Sequence, residues 1–164
     1  MKYLVGDIGN TFIKVSILNH KFDIQKSYKL NTNKIYKKKD INIFFKKFLN
    51  NSLNNKALFS SVVPKAYKLI KMYLKKKNLK LYEVKELNID KIIKINIKNF
   101  NQLGSDRIVN AVGSGESKNC LIIDFGTATT FDIIKDGIYD GGVIAPGVDL
   151  SIKNLNQFTA LLPL

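Results

Sequence analysis

A chain of 164 residues with 45% hydrophobic content and ten Phe can bury a real core, as one ordinary domain or two small ones. It contains no apolar run of membrane-spanning length, Met1-Lys2 runs straight into an extended stretch without a signal-peptide pattern, and one cysteine excludes an internal disulfide framework and fits a reducing compartment. The formal charge of +14 raises a polyanion partner, but the excess is nearly all lysine on polar positions in a chain also rich in Asn and Ile, a residue-usage bias more than a nucleic-acid footprint.

Tyr3-Leu-Val-Gly-Asp-Ile-Gly-Asn-Thr11 reads as a buried strand with an acid, Asp7, at its end. Gly9 then gives a sharp turn, and Asn10 and Thr11 offer polar side chains there. A second strand is expected over Phe12–Leu18, a turn at Asn19-His20-Lys21, and a third strand near Phe22–Leu30, giving an antiparallel meander. Asn31 to Lys39 reads as a lysine-rich loop and Asp40 as the N-cap of a helix whose core face is Ile41, Phe44, Phe45, Phe48 and Leu49. Asn50 to Asn55 ends it. Ala57-Leu58-Phe59 is a short strand entering Ser60-Ser61-Val62-Val63-Pro64, and Pro64 suits the first turn of a second helix with Ala66, Leu69, Ile70, Tyr73 and Leu74 inward. Leu79–Val84 reads as a strand, and Glu86–Asn101 as an Ile/Lys-rich connection.

In Leu103-Gly-Ser-Asp-Arg-Ile-Val-Asn-Ala-Val112, Ile108, Val109, Ala111 and Val112 form the apolar face of a helix. Asp106 and Arg107 then fall in its first turn, at the positive end of the dipole. Asp is ordinary there and Arg is disfavoured, so Arg107 needs another reason, of which binding a carboxylate is the simplest. An Asp beside a bound hydroxyl can act as general base in phosphoryl transfer. Farther on, Cys120-Leu-Ile-Ile-Asp-Phe-Gly-Thr-Ala-Thr-Thr-Phe-Asp132 repeats the first motif, with Asp124/Gly126/Thr127 at the offsets of Asp7/Gly9/Asn10. Two acid-tipped β-turns suit a nucleotide's phosphates with their cation. Thr129–Ile134 and Ile138–Ile144 pair across Asp136-Gly137, a hairpin signal. A helix follows from about Asp149 to Phe158, then an apolar end over Thr159–Leu164. His20, the only histidine, sits in a turn, and Cys120 opens an apolar strand, so Ser–His and Cys–His catalytic arrangements are set aside.

Strand order and repetition point to an α/β chain, a duplicated ribonuclease-H-like fold of the acetate/sugar kinase–Hsp70–actin type. One unit is expected over 1–115 and a partial second over 116–164. Asp7-Ile-Gly-Asn-Thr11 with Lys14, Ser60-Ser-Val-Val-Pro64, Gly104-Ser-Asp-Arg107, Asp124 through Asp132 and Gly141-Gly-Val-Ile-Ala-Pro-Gly147 together resemble the type III pantothenate kinases, in that family's order across nearly the whole chain.

The resemblance implies a cytoplasmic homodimer that uses ATP to phosphorylate pantothenate to 4′-phosphopantothenate, the first step of coenzyme A biosynthesis. It also implies Mg2+ and a monovalent cation, K+ or NH4+. Carried over by motif, Asp7, Ile8, Gly9, Asn10, Thr11, Phe12, Ile13, Lys14 and Thr127 bind ATP, and Asp7 is the candidate magnesium ligand. Asp124 holds the monovalent cation. Gly104, Ser105, Asp106 and Arg107 bind pantothenate, with Asp106 as the catalytic base.

The sequence departs from the family where Ile97 stands in place of a pocket tyrosine and Phe100 in place of a proline. Family members also continue past the position of Leu164, so the second unit is expected to be incomplete and to leave an apolar sheet face without cover. Two other readings remain: a catalytically impaired remnant or nucleotide-binding regulatory module of the same fold, and a basic nucleic-acid-binding protein. The last requires affinity that falls steeply with salt.

Overall fold

The computed structural model describes residues 1–49, 53–115 and 117–158. The expected apolar end over 159–164 and part of the expected loop over 50–55 lie outside the described residues. The chain divides into two compact units: residues 1–88 with 104–106, and residues 89–103 with 107–164.

The first unit is built on a five-stranded sheet. Strands β1 (Lys2–Ile8), β2 (Phe12–Leu18) and β3 (Ile24–Asn31) form the expected antiparallel meander. Strands β4 (Leu53–Ser61) and β5 (Lys80–Glu83) add in parallel on the other side of β1, giving the order β3-β2-β1-β4-β5. Parallel addition needs crossovers, supplied by α1 (Lys38–Lys46) and α2 (Pro64–Lys75). This is the strand and helix order of a ribonuclease-H-like unit.

Alternation along the strands assigns the two faces. Leu4 and Ile8 of β1, Ile13, Val15 and Ile17 of β2, and Ala57 and Phe59 of β4 are buried in one cluster with the helices. On α1 the buried positions are Ile41, Phe44 and Phe45, spaced i, i+3, i+4; on α2 they are Ala66, Ile70 and Leu74, spaced i, i+4, i+8. Gly6 lies opposite Phe59, and a Cβ at Gly6 would come within 2.7 Å of that ring. The ring therefore occupies the space that any side chain at position 6 would take. The opposite face of the sheet carries Asp7, Lys14 and Ser60.

Pro64 opens α2 as expected. Asp40, expected as an N-cap, is instead inside the first turn of α1, which begins at Lys38 with Lys37 as its N-cap and no side-chain cap bond. The segment read as loop is partly helical: a 3-10 turn runs over Thr32–Tyr36, capped by the Asn31 side chain on Asn33 N–H. That turn buries Ile35 in the core, and burial of one apolar side chain outweighs the polar character of its neighbours. The third strand starts at Ile24, because Phe22 takes a left-handed φ of 65° in the turn closed by Asn19.

The second unit has a four-stranded sheet of order β6-β9-β8-β7, where β6 is Lys94–Ile95, β7 Cys120–Phe125, β8 Ala128–Lys135 and β9 Ile138–Pro146. Asp136 and Gly137 both have positive φ, 52° and 75°, as a two-residue hairpin of the type I′ class requires. Helix α3 spans Ser105–Gly113, its first two residues grouping with the first unit, and α4 spans Val148–Phe158. Phe125, Val143, Ile144 and, on α4, Leu155 and Phe158 are exposed, Phe158 to 77%. Among the described residues no helix is long and apolar enough to cross a membrane.

Two measurements test this packing. Gly6→Ala is expected to lower unfolding stability by about 1–3 kcal/mol in urea titration, since the fully buried Phe59 ring has to move. The Lys71–Glu86 ion pair, 2.7 Å apart, holds the Glu86 carboxyl below its usual range through the lysine's hydrogen bond. Its stabilisation is present at neutral pH and disappears as pH falls through the lowered carboxyl pKa. Both partners are about two-fifths exposed, so Glu86→Gln is expected to change stability by less than about 1 kcal/mol at pH 7 and by nothing in strong acid.

Candidate active site

In the first unit, the end of β4 connects two of the sequence motifs. Asp7 stands at the end of β1, paired in register with Lys14 of β2 on one side and Ser60 of β4 on the other. The Ser60 hydroxyl donates to Asp7 Oδ1 at 2.8 Å, fixing the carboxylate's rotamer. The following residue, Ser61, ties down the start of α3: its N–H donates to Ser105 Oγ at 2.8 Å and its carbonyl accepts from that hydroxyl at 3.1 Å. Ser105 is 1% exposed, so its hydroxyl serves as an internal bracket between strand and helix. Val62 N–H donates to Ile8 O at 3.1 Å, joining the same strand end to the Asp7 turn.

The turn after Asp7 is closed by Gly9 N–H on Phe12 O at 3.0 Å, and Thr32 Oγ1 donates to Gly9 O at 2.7 Å. A Cβ at Gly9 would stand 3.2 Å from Phe12 O, a tight fit, and φ there is not left-handed. Gly104 is glycine for a different reason. A Cβ there would collide with Asp106 Oδ1, because the Asp106 carboxylate folds back over the residue before the helix. That places negative charge against the unsatisfied N–H groups and positive dipole of a helix start.

In the second unit, Arg107 is held by Asp132 of β8. Its Nε donates to Asp132 Oδ1 at 2.7 Å, and Nη2 stands 2.6 Å from the same oxygen. The Arg107 side chain is 12% exposed and that of Asp132 is fully buried. Tyr139 OH donates to the same Oδ1 at 2.6 Å. Farther along α3, Asn110 Nδ2 donates to Asp124 Oδ2 at 3.1 Å, beside an open groove lined by α3 and β7. The turn after Asp124 is one residue shorter than the turn after Asp7 and closes from Gly126 N–H to Ala128 O at 3.1 Å. The backbone N–H of Gly147 donates to Thr127 O, and a Cβ at Gly147 would overlap the Gly126 and Thr127 carbonyls. Ile97, standing where the family resemblance expects tyrosine, reaches within 3.8 Å of the Cβ position at Gly141.

The sequence profile of type III pantothenate kinases matches residues 3–164. The chain belongs to that family. A type III pantothenate kinase from Pelagibacter ubique (strain HTCC1062) is 44% identical over 162 residues, covering 98% of this chain and 65% of the relative. One from Fervidobacterium nodosum is 33% identical over 166 residues, again covering 98% and 65%. The chain thus spans about 65% of the length of these curated relatives.

Solved structures bear on the fold alone. A Baf family protein from Campylobacter jejuni superposes with a TM-score of 0.57 at 24% identity, over 95% of this chain and 60% of that one. A Sinorhizobium meliloti protein assigned as a 2-dehydro-3-deoxygalactonokinase gives 0.56 at 11% identity, over 97% and 58%. The architecture is mixed α/β with two sheets, of the sugar-kinase type.

Within the chain, the sequence motifs separate into candidate site residues and their brackets. Asp7 with Lys14, and Gly104 through Asp106, come together through β4 in the first unit. Arg107, Asp124 and Thr127 lie in the second. Sequence reading assigned no role to Ser60, Ser61, Asp132, Tyr139 or Gly142. A signal for Asp132 was present: an acid among Phe131, Ile133 and Ile134 in a strand needs a buried partner.

Ser105→Ala removes the bracket and leaves the Ser61 N–H and carbonyl without it. It is expected to destabilise the chain by about 1–3 kcal/mol in thermal or denaturant unfolding; a change under a few tenths would show that water replaces the hydroxyl.

Proposed function

We propose that the protein phosphorylates pantothenate from ATP, giving 4′-phosphopantothenate and ADP at the first step of coenzyme A biosynthesis. The observation that carries this reading is the pair at the start of α3: Asp106 folded over Gly104, and Arg107 next to it in sequence with its guanidinium fixed by Asp132. An acceptor with a carboxylate at one end and a primary hydroxyl at the other suits such a pair. Arg107 would take the carboxylate and Asp106 would accept the hydroxyl proton. As that proton leaves, the oxygen attacks the γ-phosphorus, the bond to the β,γ-bridging oxygen breaks, and ADP carries away the charge.

The acid-tipped turn in each unit supports a nucleotide and its cations in the roles assigned from sequence. Residues Asp7 through Lys14 would bind ATP, with the Lys14 ammonium beside phosphate oxygens, and Thr127 would contact the nucleotide from its own turn. A single carboxylate with nucleotide phosphates is a donor set that Mg2+ accepts, and Asp7, oriented by Ser60, fits it. Asp124, oriented by Asn110, fits a monovalent cation such as K+ or NH4+. These cations would neutralise phosphate charge as it redistributes. The reading extends to a cytoplasmic homodimer and to two ribonuclease-H-like halves, 1–115 and 116–164.

The test is a coupled assay of the purified chain with ATP, Mg2+, K+ or NH4+, and pantothenate. The expected result is cation-dependent product formation, with Asp106→Asn lowering kcat by about 10²- to 10⁴-fold. ATP binding without turnover would favour a nucleotide-binding regulatory module. Absence of both binding and turnover would overturn the proposal.

A further inference from the structure

Arg107 is the only arginine among 27 Lys and Arg residues. In a chain that uses lysine for nearly every cation, one position keeps the planar guanidinium, and several features of the second unit are arranged around it. Asp132 is fully buried, and Oδ1 receives both Arg107 Nε and the Tyr139 hydroxyl. Thr130 Oγ1 lies 3.5 Å from the other oxygen, Oδ2. Tyr139 is itself 1% exposed, so the hydroxyl meets this carboxylate inside the unit.

The backbone of β9 is shaped to the same end. Asp132 pairs with Gly142, and Ile134 pairs with Tyr139, so β9 holds one more residue than β8 across this interval. In a regular strand, residues 139 and 142 would face opposite sides; the extra residue puts both on the side of Asp132. Gly141 takes a φ of +95° at the bulge, a conformation glycine adopts without strain. Gly142 then presents bare backbone: a Cβ there would lie 2.7 Å from Arg107 Nη2 and would clash with Phe131 O. The Gly141-Gly142 pair thus has two separate duties, to shift the register and to leave room for the guanidinium.

A buried ion pair is weak evidence for stability, because well-packed apolar residues serve as well. An arginine in the first turn of a helix is also opposed by the dipole. Bulge, tyrosine and buried acid together therefore point to orientation of one side chain. We propose that Asp132 and Tyr139 are positioning residues that fix the Arg107 guanidinium for the carboxylate of the acceptor, Gly141 and Gly142 shaping the strand that allows it. A side-on pair through Nε and Nη2 sets the plane of the guanidinium. This inference rests on the reading of Arg107 as the acceptor's carboxylate ligand.

A lone arginine makes the test direct. In a full chain carrying no added arginine and labelled with 15N at the guanidinium, Arg107 gives a single Nε–H cross-peak. The expected wild-type result is slow exchange of that proton with water and a shift on adding pantothenate. Tyr139→Phe keeps the ring and removes the hydroxyl. It is expected to speed the exchange and weaken the pantothenate titration at least five-fold, raising KM for pantothenate while kcat and KM for ATP stay within two-fold. Asp132→Asn is expected to do the same more strongly. Slow exchange with a pantothenate shift, but unchanged affinity in a folded Tyr139→Phe, would overturn the positioning role and leave the proposed reaction standing. A wild-type peak that pantothenate does not move would overturn the carboxylate reading of Arg107 and this inference with it.

Discussion

The first turn of α3 carries an acid and an arginine side by side, and a helix start treats the two oppositely. Its unsatisfied N–H groups welcome Asp106 and repel Arg107. The acid is accommodated by leaving out a side chain: Gly104 allows the carboxylate to fold back over the backbone. The arginine is accommodated by adding charge: the Asp132 carboxylate meets its guanidinium inside the second unit. Ser105, between Gly104 and Asp106, anchors the turn to the end of β4 through both polar groups of Ser61. Every role assigned to the acceptor site depends on these three devices holding one turn of helix.

The two units differ in how their apolar surface is disposed. The first has a continuous core in which two helices cover one sheet face, and Phe59 lies directly over Gly6. The second buries Ile134 and Tyr139 yet exposes Phe125, Val143, Ile144 and much of the apolar side of α4. Its buried residues, Ile89, Leu103, Ile108, Ala111, Ile134 and Tyr139, are mainly apolar, and the charged group enclosed with them is Asp132. The hydrogen-bonded geometry of Asp132 is what keeps its burial tolerable.

Much of the fold was legible in the sequence. The meander, the crossover helices and the Asp136-Gly137 turn follow from hydrophobic periodicity and turn chemistry that act locally. The Asp40 cap was misplaced because helix ends are set within a turn by competing polar groups, and the cap falls three residues earlier, at Lys37. Asn31 to Lys39 looked like loop because its lysines hid the one residue, Ile35, that reaches the core. At the site, Asp106 and Arg107 were visible as an unusual pairing in a helix start. Their supports were not, since Asp132 is 25 positions along the chain from Arg107 and the Gly141 bulge has meaning only once β8 and β9 are paired. Sequence spacing records local periods; it does not record which buried acid meets which arginine.

The central proposal is that Arg107 of α3 takes the acceptor's carboxylate and that Asp106, next to it in sequence, takes the hydroxyl proton. Calorimetric titration of the chain, in the presence of a non-hydrolysable ATP analogue and both cations, can compare pantothenate with pantothenol, which replaces the carboxylate by an alcohol and keeps the phosphorylated hydroxyl. The account predicts that pantothenate binds at least about ten-fold more tightly, a difference of about 1.4 kcal/mol. Equal affinity for the two would contradict it.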